Sequence, residues 1–230
     1  MARITKETLE QLSLFEALLP TTYAHLESIG HVKTYKSGTH LFREKDRLHC
    51  FYIILSGTVT LYKTNSNGQI KTIFILGKDT LLNETLFDDL PASISCKTHA
   101  DCTILTFYRS DFIPLLQQDF RLTQNFVNHI SKRIRRLYRQ IKNSTSIIKM
   151  EKKLAAKIWK LTQDYGIPHE SGVMLDFPIT ITALAELLGS YRETISRSLK
   201  ILVENQLIIY EHKYIFVPDT HALSRFFKAP

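Results

Sequence analysis

The stretch Leu187–Arg197, which reads LLGSYRETISR, has the pattern of a tight turn followed by the start of a helix. Gly189 supplies the backbone freedom that a sharp turn between two helices requires. The residues before it predict a first helix from about Thr180 to Leu188, with Thr180 as the N-cap and leucines on the buried side. We interpret the pair as a helix-turn-helix, a unit that places side chains against DNA bases.

The second helix of this unit has one apolar and one polar face. Ser190 and Glu193 have the S-x-x-E spacing of a capping box, which would open the helix. Ile195, Leu199 and Leu202 then recur at helical spacing and predict a buried stripe. The opposite face is polar, and its members are Arg192, Glu193, Ser196, Arg197 and Lys200.

The polar face has side chains that suit base recognition. An arginine fits O6 and N7 of guanine with two donors, and a carboxylate accepts from the amino group of cytosine. We therefore predict Arg192, Glu193 and Arg197 as base readers, although Glu193 is also assigned to the cap. A solvated amphipathic helix is the alternative that the string alone leaves open. Two β-rich runs, Leu207–Tyr210 and Tyr214–Val217, follow around a polar turn and predict a winged-helix hairpin.

Length and charge limit the classes of function. The 230 residues suffice for one large domain or two small ones. The net charge of +8 belongs to the second half, because residues 1–115 carry 12 basic and 12 acidic side chains and residues 116–230 carry 18 and 10. Double-stranded DNA is a natural partner for such a surface, although a basic face is often only solvated. Without a signal segment or a long apolar run, we expect a soluble, cytoplasmic protein with no membrane partner.

The first half has the pattern of an all-β domain. Short apolar or alternating runs extend from Lys33 to about Phe107, and turn residues separate them at regular intervals. This spacing predicts a β-barrel or jelly roll. Asn67-Gly68 gives the clearest hairpin signal.

The three cysteines form no C-x-x-C pair. We expect Cys50, Cys96 and Cys102 to be reduced thiols in or near strands, with no metal. Cys96 and Cys102 are six residues apart and would lie on one face if they shared a strand. A redox-sensing role is therefore a second, weaker hypothesis.

Helical periodicity begins after Ser110-Asp111. A long helix of about Leu122–Ile148 has apolar positions at alternating steps of four and three, the spacing of a two-helix seam. Basic residues cover its other sides, so a parallel homodimer is the simplest interpretation. The alternative is that the stripe packs on its own β domain. The seam positions are Ile130, Ile134, Leu137, Ile141, Ser144 and Ile148.

These patterns divide the chain into three parts. We predict an α+β protein with a β-roll (jelly-roll) effector or sensor domain at 1–118, a dimerisation helix at 119–149 and a winged helix-turn-helix DNA-binding domain at 150–230. Asn143–Lys153 is the candidate hinge. Leu154–Tyr165 is the predicted first helix of the last domain, ended by Gly166-Ile167-Pro168.

This combination resembles the Crp/Fnr superfamily of bacterial transcription regulators. The resemblance spans nearly the whole chain and is strongest in LAELLGSYRETISRSLKILVENQLI; in the roll it is visible in YKSGTHLF, FYIILSGTVTLY, NGQIKTIFILGK and NETLF. It implies a homodimer on an inverted repeat, with Arg192, Glu193 and Arg197 reading half-sites that resemble TGTGA. It also implies a DNA-binding activator that works with RNA polymerase and is not an enzyme. The predicted DNA contacts are Thr180, Ser190, Tyr191, Arg192, Glu193, Ser196, Arg197 and Lys200.

The effector pocket departs from the family pattern. Glu84 and Ser93 match its phosphate-binding segment, but Ala92 stands where cyclic-nucleotide members have an arginine, and no arginine lies between Glu84 and Lys97. A phosphate would lose its bidentate partner, so we expect no dependence on cyclic AMP, unless Lys97 substitutes. The effector is not identified, and no cofactor is predicted. The candidate pocket residues are Glu84, Ser93, Lys97, Gln140 and Ile141.

Other classes fit less well. The iron–sulfur branch needs an N-terminal cysteine cluster, and the first cysteine here is Cys50. Haem or a cupin-like metalloenzyme would need metal-binding histidines, but His40, His49 and His99 lie on separate runs with no H-x-H pair. A pure cyclic-nucleotide-binding module is the remaining alternative, and the complete helix-turn-helix speaks against it.

Overall fold

The computed structural model describes residues 2–88, 90–144 and 148–229. None of the helices in these ranges is long and apolar enough to cross a membrane. The chain divides into two compact units, one formed by residues 1–61 and 75–146 and the other by residues 62–74 and 147–230.

The elements up to the long helix are, in order, β1 (Ala2–Arg3), α1 (Lys6–Glu10), a 3-10 turn (Ser13–Phe15), α2 (Pro20–Ile29), β2 (His31–Tyr35), β3 (His40–Phe42), β4 (Cys50–Ser56), β5 (Val59–Thr64), β6 (Ile70–Leu76), β7 (Thr80–Leu81), β8 (Ser95–Thr98), β9 (Cys102–Tyr108), α3 (Arg109–Gln118) and α4 (Phe120–Ser144). Those that follow are α5 (Met150–Tyr165), β10 (Gly166–His169), β11 (Gly172–Leu175), α6 (Ile181–Leu188), α7 (Arg192–Glu204), β12 (Ile209–Glu211), β13 (Tyr214–Val217) and α8 (Thr220–Lys228).

The N-terminal strands form two sheets, as the jelly-roll pattern predicts. One has the strand order β1-β2-β9-β4-β7 and the other β3-β8-β5-β6. The central pair is antiparallel and aligns Cys50 with Tyr108. The predicted hairpin joins β5 to β6, and Gly68 adopts a φ of +76° in its turn. The β-roll and the α+β class are thus confirmed.

The core of the first unit is aromatic and includes the start of α4. Phe15, Phe51 and Phe112 are fully buried, and the rings of Phe51 and Phe112 are 5.0 Å apart. From α4, Leu122 and Phe126 join the same cluster, with Phe126 edge-on to Phe51 at 5.9 Å. The first turns of the long helix are therefore part of the roll's hydrophobic core.

Polar contacts fix the same end of α4. The Asn125 amide donates to the carbonyl oxygens of Leu14 and Glu16 at 3.2 and 2.9 Å. Asp119 accepts from the backbone N–H of Arg121 and Leu122, as an N-terminal capping residue does. The helix thus starts at a position set by both apolar and polar contacts.

Two predicted seam positions need correction. Ile148 lies outside any helix, because α4 ends at Ser144, so its assignment to the seam is wrong. Ile130 packs partly against the core of its own unit, which a position in a fully exposed seam would not do. Residues 145–147 of the candidate hinge and the side chain of Ser144 lie outside the described residues.

The second unit contains a small sheet and the two predicted helices. Its sheet order is β10-β11-β13-β12. The predicted first helix is α5, which begins four residues earlier than expected and ends at Gly166 as expected. Apolar side chains that include Ile158, Leu184, Leu202 and Ile215 are fully buried. This core fixes α6 and α7 as parts of one folded unit.

Candidate nucleic-acid interface

The turn between α6 and α7 has the geometry that the sequence predicts. Thr180 caps α6, since its side-chain oxygen accepts from the N–H of Ala183 at 3.1 Å. Gly189 adopts a left-handed conformation, with φ +63° and ψ +46°. The N–H of Ser190 then donates to the carbonyl oxygen of Ala185 at 3.0 Å, which closes the last turn of α6.

The predicted capping box at the start of α7 is wrong. The helix begins at Arg192, its N-cap is Tyr191, and no side chain caps it. Ser190 belongs to the C-terminal turn of α6, because its N–H already bonds back to that helix. Glu193 is therefore not engaged in a cap and lies exposed in the first turn of α7.

The polar face of α7 is exposed, and most of it makes no polar contact within the chain. The side chains of Arg192, Glu193, Ser196 and Arg197 have no hydrogen bond or ion pair with any described residue. Lys200 pairs with Glu204 at 3.6 Å, and both of these side chains are largely exposed. On the opposite face, Ile195, Leu199 and Leu202 are buried. Packing thus fixes which face of α7 points to solvent, and that face carries charges available to a ligand.

The other predicted contacts lie around the start of α7. Thr180 is exposed at the cap of α6, and Ser190 is partly exposed in the turn. Tyr191 is 71% exposed and stands next to Arg192. A large exposed aromatic side chain beside two arginines is typical of a binding surface.

The wing adds residues that sequence analysis did not single out. β12 and β13 pair across a tight turn at His212 and Lys213, which both have positive φ and are exposed. The Tyr210 hydroxyl donates to the carbonyl oxygen of Ile179 at 3.0 Å, and the N–H of Ile179 donates to that of Lys213 at 2.7 Å. The wing is thus tied to the start of α6. The polar turn between two β-rich runs was the signal for these two residues.

The exposed apolar stripe of α4 differs in part from the predicted seam. Ile134, Leu137 and Ile141 are exposed as predicted, and Val127 and Tyr138 are exposed beside them. Val127, Ile134 and Ile141 are seven residues apart, the repeat of a two-helix contact. The same spacing in the sequence would have identified Val127.

The candidate effector residues lie in different environments. Glu84 is largely buried, and its carboxylate pairs with Arg133 of α4 at 3.5 Å. Ser93, Lys97 and Ile141 are exposed, whereas Gln140 is partly buried. Ser93 precedes β8, so the inference that strand alternation places it on one face with Lys97 is wrong. Sequence analysis missed Arg133, because it looked for the arginine only near Glu84 in sequence.

The cysteines do not form the arrangement that a sensor would use. Cys96 lies in β8 and Cys102 in β9, so the shared strand is wrong. Burial raises the pKa of Cys102 to about 11 and also raises the pKa of Cys96 and of Cys50. A raised pKa reduces the reactive thiolate, which disfavours redox sensing. In residues 2–88, 90–144 and 148–229, no group of three or more His, Cys, Asp or Glu could hold a metal ion.

Two family models match this chain, and each covers one part of it. The cyclic nucleotide-binding domain matches residues 32–119, and the Crp-like helix-turn-helix domain matches residues 152–226. The second match contains α6, α7 and the wing.

Known proteins match over most of the chain. The anaerobic regulatory protein of Bacillus subtilis is 28% identical over 77% of this chain and 75% of its own length. The cyclic AMP receptor protein of Thermus thermophilus is 27% identical over 85% of this chain and 87% of its own. The structure of FixK2 from Bradyrhizobium japonicum superposes with a TM-score of 0.77 at 15% identity, covering 88% and 99% of the two chains, and this likeness concerns the fold.

Proposed function

The chain belongs to the Crp/Fnr superfamily of transcription regulators, and we propose that it binds, as a homodimer, an inverted repeat with TGTGA-like half-sites. Its Crp-like helix-turn-helix domain makes it a DNA-binding regulator, and the proteins that it resembles are regulators rather than enzymes. The operator sequence, the homodimer and the direction of regulation are the proposed part.

The exposed face of α7 is the observation that supports this proposal most. Arg192, Glu193 and Arg197 carry charge, are exposed, and have no polar partner among the described residues. A guanidinium reads guanine and a carboxylate reads cytosine in the major groove. Side chains that are already solvated and unpaired lose no internal bond when they bind a base edge.

We expect Arg192→Ala and Arg197→Ala each to weaken binding to a TGTGA inverted repeat by about 1–3 kcal/mol, because each removes a bidentate base contact. Binding to random DNA should fall much less. The measurement is fluorescence anisotropy on both duplexes over a range of salt concentrations.

Arg225→Ala is the matched control for these variants. It removes the same charge from the same unit, and the Arg225 side chain is 74% exposed in α8 with a 3.7 Å contact to Asp219. The control should leave the ratio between operator and random DNA unchanged. Equal losses on both duplexes for Arg192→Ala and Arg197→Ala would show that these arginines contact only phosphates.

A homodimer explains how one short helix could select a long site. Two recognition helices related by two-fold symmetry read half-sites whose centres are about 34–36 Å apart, one turn of DNA. The exposed stripe of Val127, Ile134, Leu137 and Ile141 supplies an apolar surface for the second copy. We propose this stripe as the dimer contact.

We further propose that the protein activates transcription with RNA polymerase. The support is the family resemblance, in which most members activate. Transcription in vitro from a promoter with the operator upstream, with and without the protein, measures the direction. Lower transcript yield with the protein would make it a repressor at that promoter.

We propose that cyclic AMP is not the effector, because Ala92 stands at the arginine position of the phosphate segment and is buried. Cyclic AMP should neither bind with micromolar affinity nor change operator affinity by the coupling of about 1–3 kcal/mol expected of an effector. Calorimetry and anisotropy measure the two quantities. Tight, stoichiometric binding would contradict the proposal and make Lys97 the suspected phosphate contact.

A further inference from the structure

A charged side chain of α4 reaches deep into the β-roll at Glu84. Arg133 approaches the Glu84 carboxylate at 3.5 Å and donates from Nη2 to the carbonyl oxygen of Leu81 at 2.8 Å. The two charged side chains are only 11% and 17% exposed. Arg133 therefore joins the middle of the long helix to the segment that directly follows β7.

The segment that carries Glu84 is itself held in place. The Asn83 amide donates to the carbonyl oxygen of Cys50 at 2.7 Å, and its side-chain oxygen accepts from the N–H of Tyr52 at 3.0 Å. Asn83 is buried, so these bonds with β4 form away from water. Arg133 thus contacts a rigid part of the roll.

The position of Arg133 on α4 relates it to the proposed dimer contact. It lies between Ile130, which packs against the roll, and Ile134, which is exposed in the stripe. A side chain that fixes α4 here also fixes the rotation of the helix about its axis. That rotation decides which face a second copy meets.

The contact is costly by itself. Burial raises the pKa of Glu84, although the Arg133 charge acts in the opposite direction. One carboxylate oxygen, Oε2, is buried without a hydrogen-bond partner. Buried pairs of this kind contribute little net stability, and removing one partner leaves an uncompensated charge. Stability therefore gives no account of why the pair is present, whereas positioning of α4 does.

We propose that Arg133 is an internal substitute for an effector: its guanidinium, between Glu84 and the Leu81 carbonyl, holds α4 against the roll in the orientation that the DNA-binding dimer uses. Arg133 is a positioning residue, and the protein binds its operator with no small molecule added. This inference rests on the proposed function, because it concerns the same dimer and operator.

The first test compares Arg133→Ala with Arg135→Ala in protein purified without added ligand. Arg135 is exposed on the same helix, so its variant removes the same charge from α4 without touching Glu84. We expect Arg133→Ala to lose about ten-fold or more in affinity for the inverted repeat, within the range of known couplings, and Arg135→Ala to change it by less than about three-fold. Methylguanidinium at millimolar concentration should restore Arg133→Ala and leave Arg135→Ala unchanged. Equal affinities of the two variants, or no rescue, would overturn the proposal.

A double variant separates positioning from the cost of a stranded charge. Arg133→Met with Glu84→Gln removes both charges and keeps similar volumes, so it should fold even if Arg133→Ala does not. We expect it to bind the operator as weakly as Arg133→Ala, since α4 is no longer held. Operator affinity at the wild-type level would overturn the proposal.

Sedimentation equilibrium tests the same inference without DNA. The dimer of the double variant should dissociate about ten-fold more readily than that of the wild type if the pair orients the stripe. An unchanged dimer constant would overturn the inference, whatever the operator results. If the wild-type protein does not prefer the operator but the dimer constants differ as expected, the proposed operator fails and the role of Arg133 in positioning α4 stands.

Discussion

Arg197 and Asp119 show two uses of charged residues in this chain. Arg197 is exposed on α7 with no polar partner among the described residues, so it can bind a ligand without breaking an internal bond. Asp119 is 2% exposed and accepts from the N–H of Leu19 and the hydroxyl of Thr22 at 2.9 and 2.8 Å, besides its bonds to the start of α4. The first is suited to recognition and the second to holding a helix in place.

Asp119 should give the fold a measurable pH dependence. Burial alone would raise the pKa of Asp119, but the hydrogen bonds from Leu19, Thr22, Leu122 and Arg121 outweigh it and lower the pKa. A lowered pKa in the folded state contributes stability that is complete above the unfolded value of about 3.9 and is lost as pH falls through the folded pKa. Asp119→Asn should therefore lower the free energy of unfolding at neutral pH by about 1–3 kcal/mol.

Urea unfolding from about pH 6 to pH 3 measures this effect. The difference between wild type and Asp119→Asn should shrink as the wild-type carboxylate becomes protonated. Asp88→Asn is the control, because Asp88 is exposed in a turn of the same unit. A difference that stays constant across this range would contradict the assigned role.

Among the elements, those with local signals were predictable. The cap of α6 at Thr180 and the turn at Gly189 follow from residue types within a few positions. The capping box at Ser190 was wrong because the Ser190 N–H closes α6 rather than opening α7, and the letters S-x-x-E do not show that bond. The error concerns two residues at a helix boundary and leaves the recognition face unchanged.

The long helix shows what periodicity leaves open. The steps of four and three identify an apolar stripe, but not the partner that each residue meets. Ile130 packs on its own roll, whereas Val127 and Tyr138 are exposed. The two alternatives of the sequence analysis therefore each describe a part of α4: its first turns pack within the chain, and later residues present a free apolar surface.

Leu137→Asp tests whether that surface is the dimer contact. The variant would place a carboxylate in a desolvated apolar interface, at a cost of several kcal/mol that two-fold symmetry doubles. We expect a monomer in sedimentation experiments, with the β-roll still folded, because Leu137 is not part of the core cluster. Cooperative binding to the inverted repeat should then disappear.

Asn128→Asp is the control for this variant. It adds the same carboxylate to an exposed position of α4 outside the apolar stripe. The control should remain dimeric and bind the full site. A Leu137→Asp protein that also stays dimeric and binds normally would show that the stripe is not the interface.

For the whole molecule, sequence patterns predicted the α+β class, the β-roll and the helix-turn-helix, because each rests on contacts within or between neighbouring elements. They missed the contact between Glu84 and Arg133, which lie in different elements far apart in the chain. Contacts of this kind have no local signal. The excess positive charge of the second half, by contrast, was visible in composition and lies in the same part of the chain as α7 and the wing.

The central claim is that two copies of α7 read a two-fold symmetric operator. The most direct measurement compares the affinity of the wild-type protein for three duplexes of equal length: an inverted repeat of TGTGA with half-site centres about one helical turn apart, the same duplex with one half-site scrambled, and a fully scrambled duplex. All three are measured at the same salt concentration, since affinity without it is not comparable. The account predicts that the full site binds at least about 10³-fold more tightly than the scrambled duplex, and that the half-site lies between them. Equal affinity for all three would contradict it.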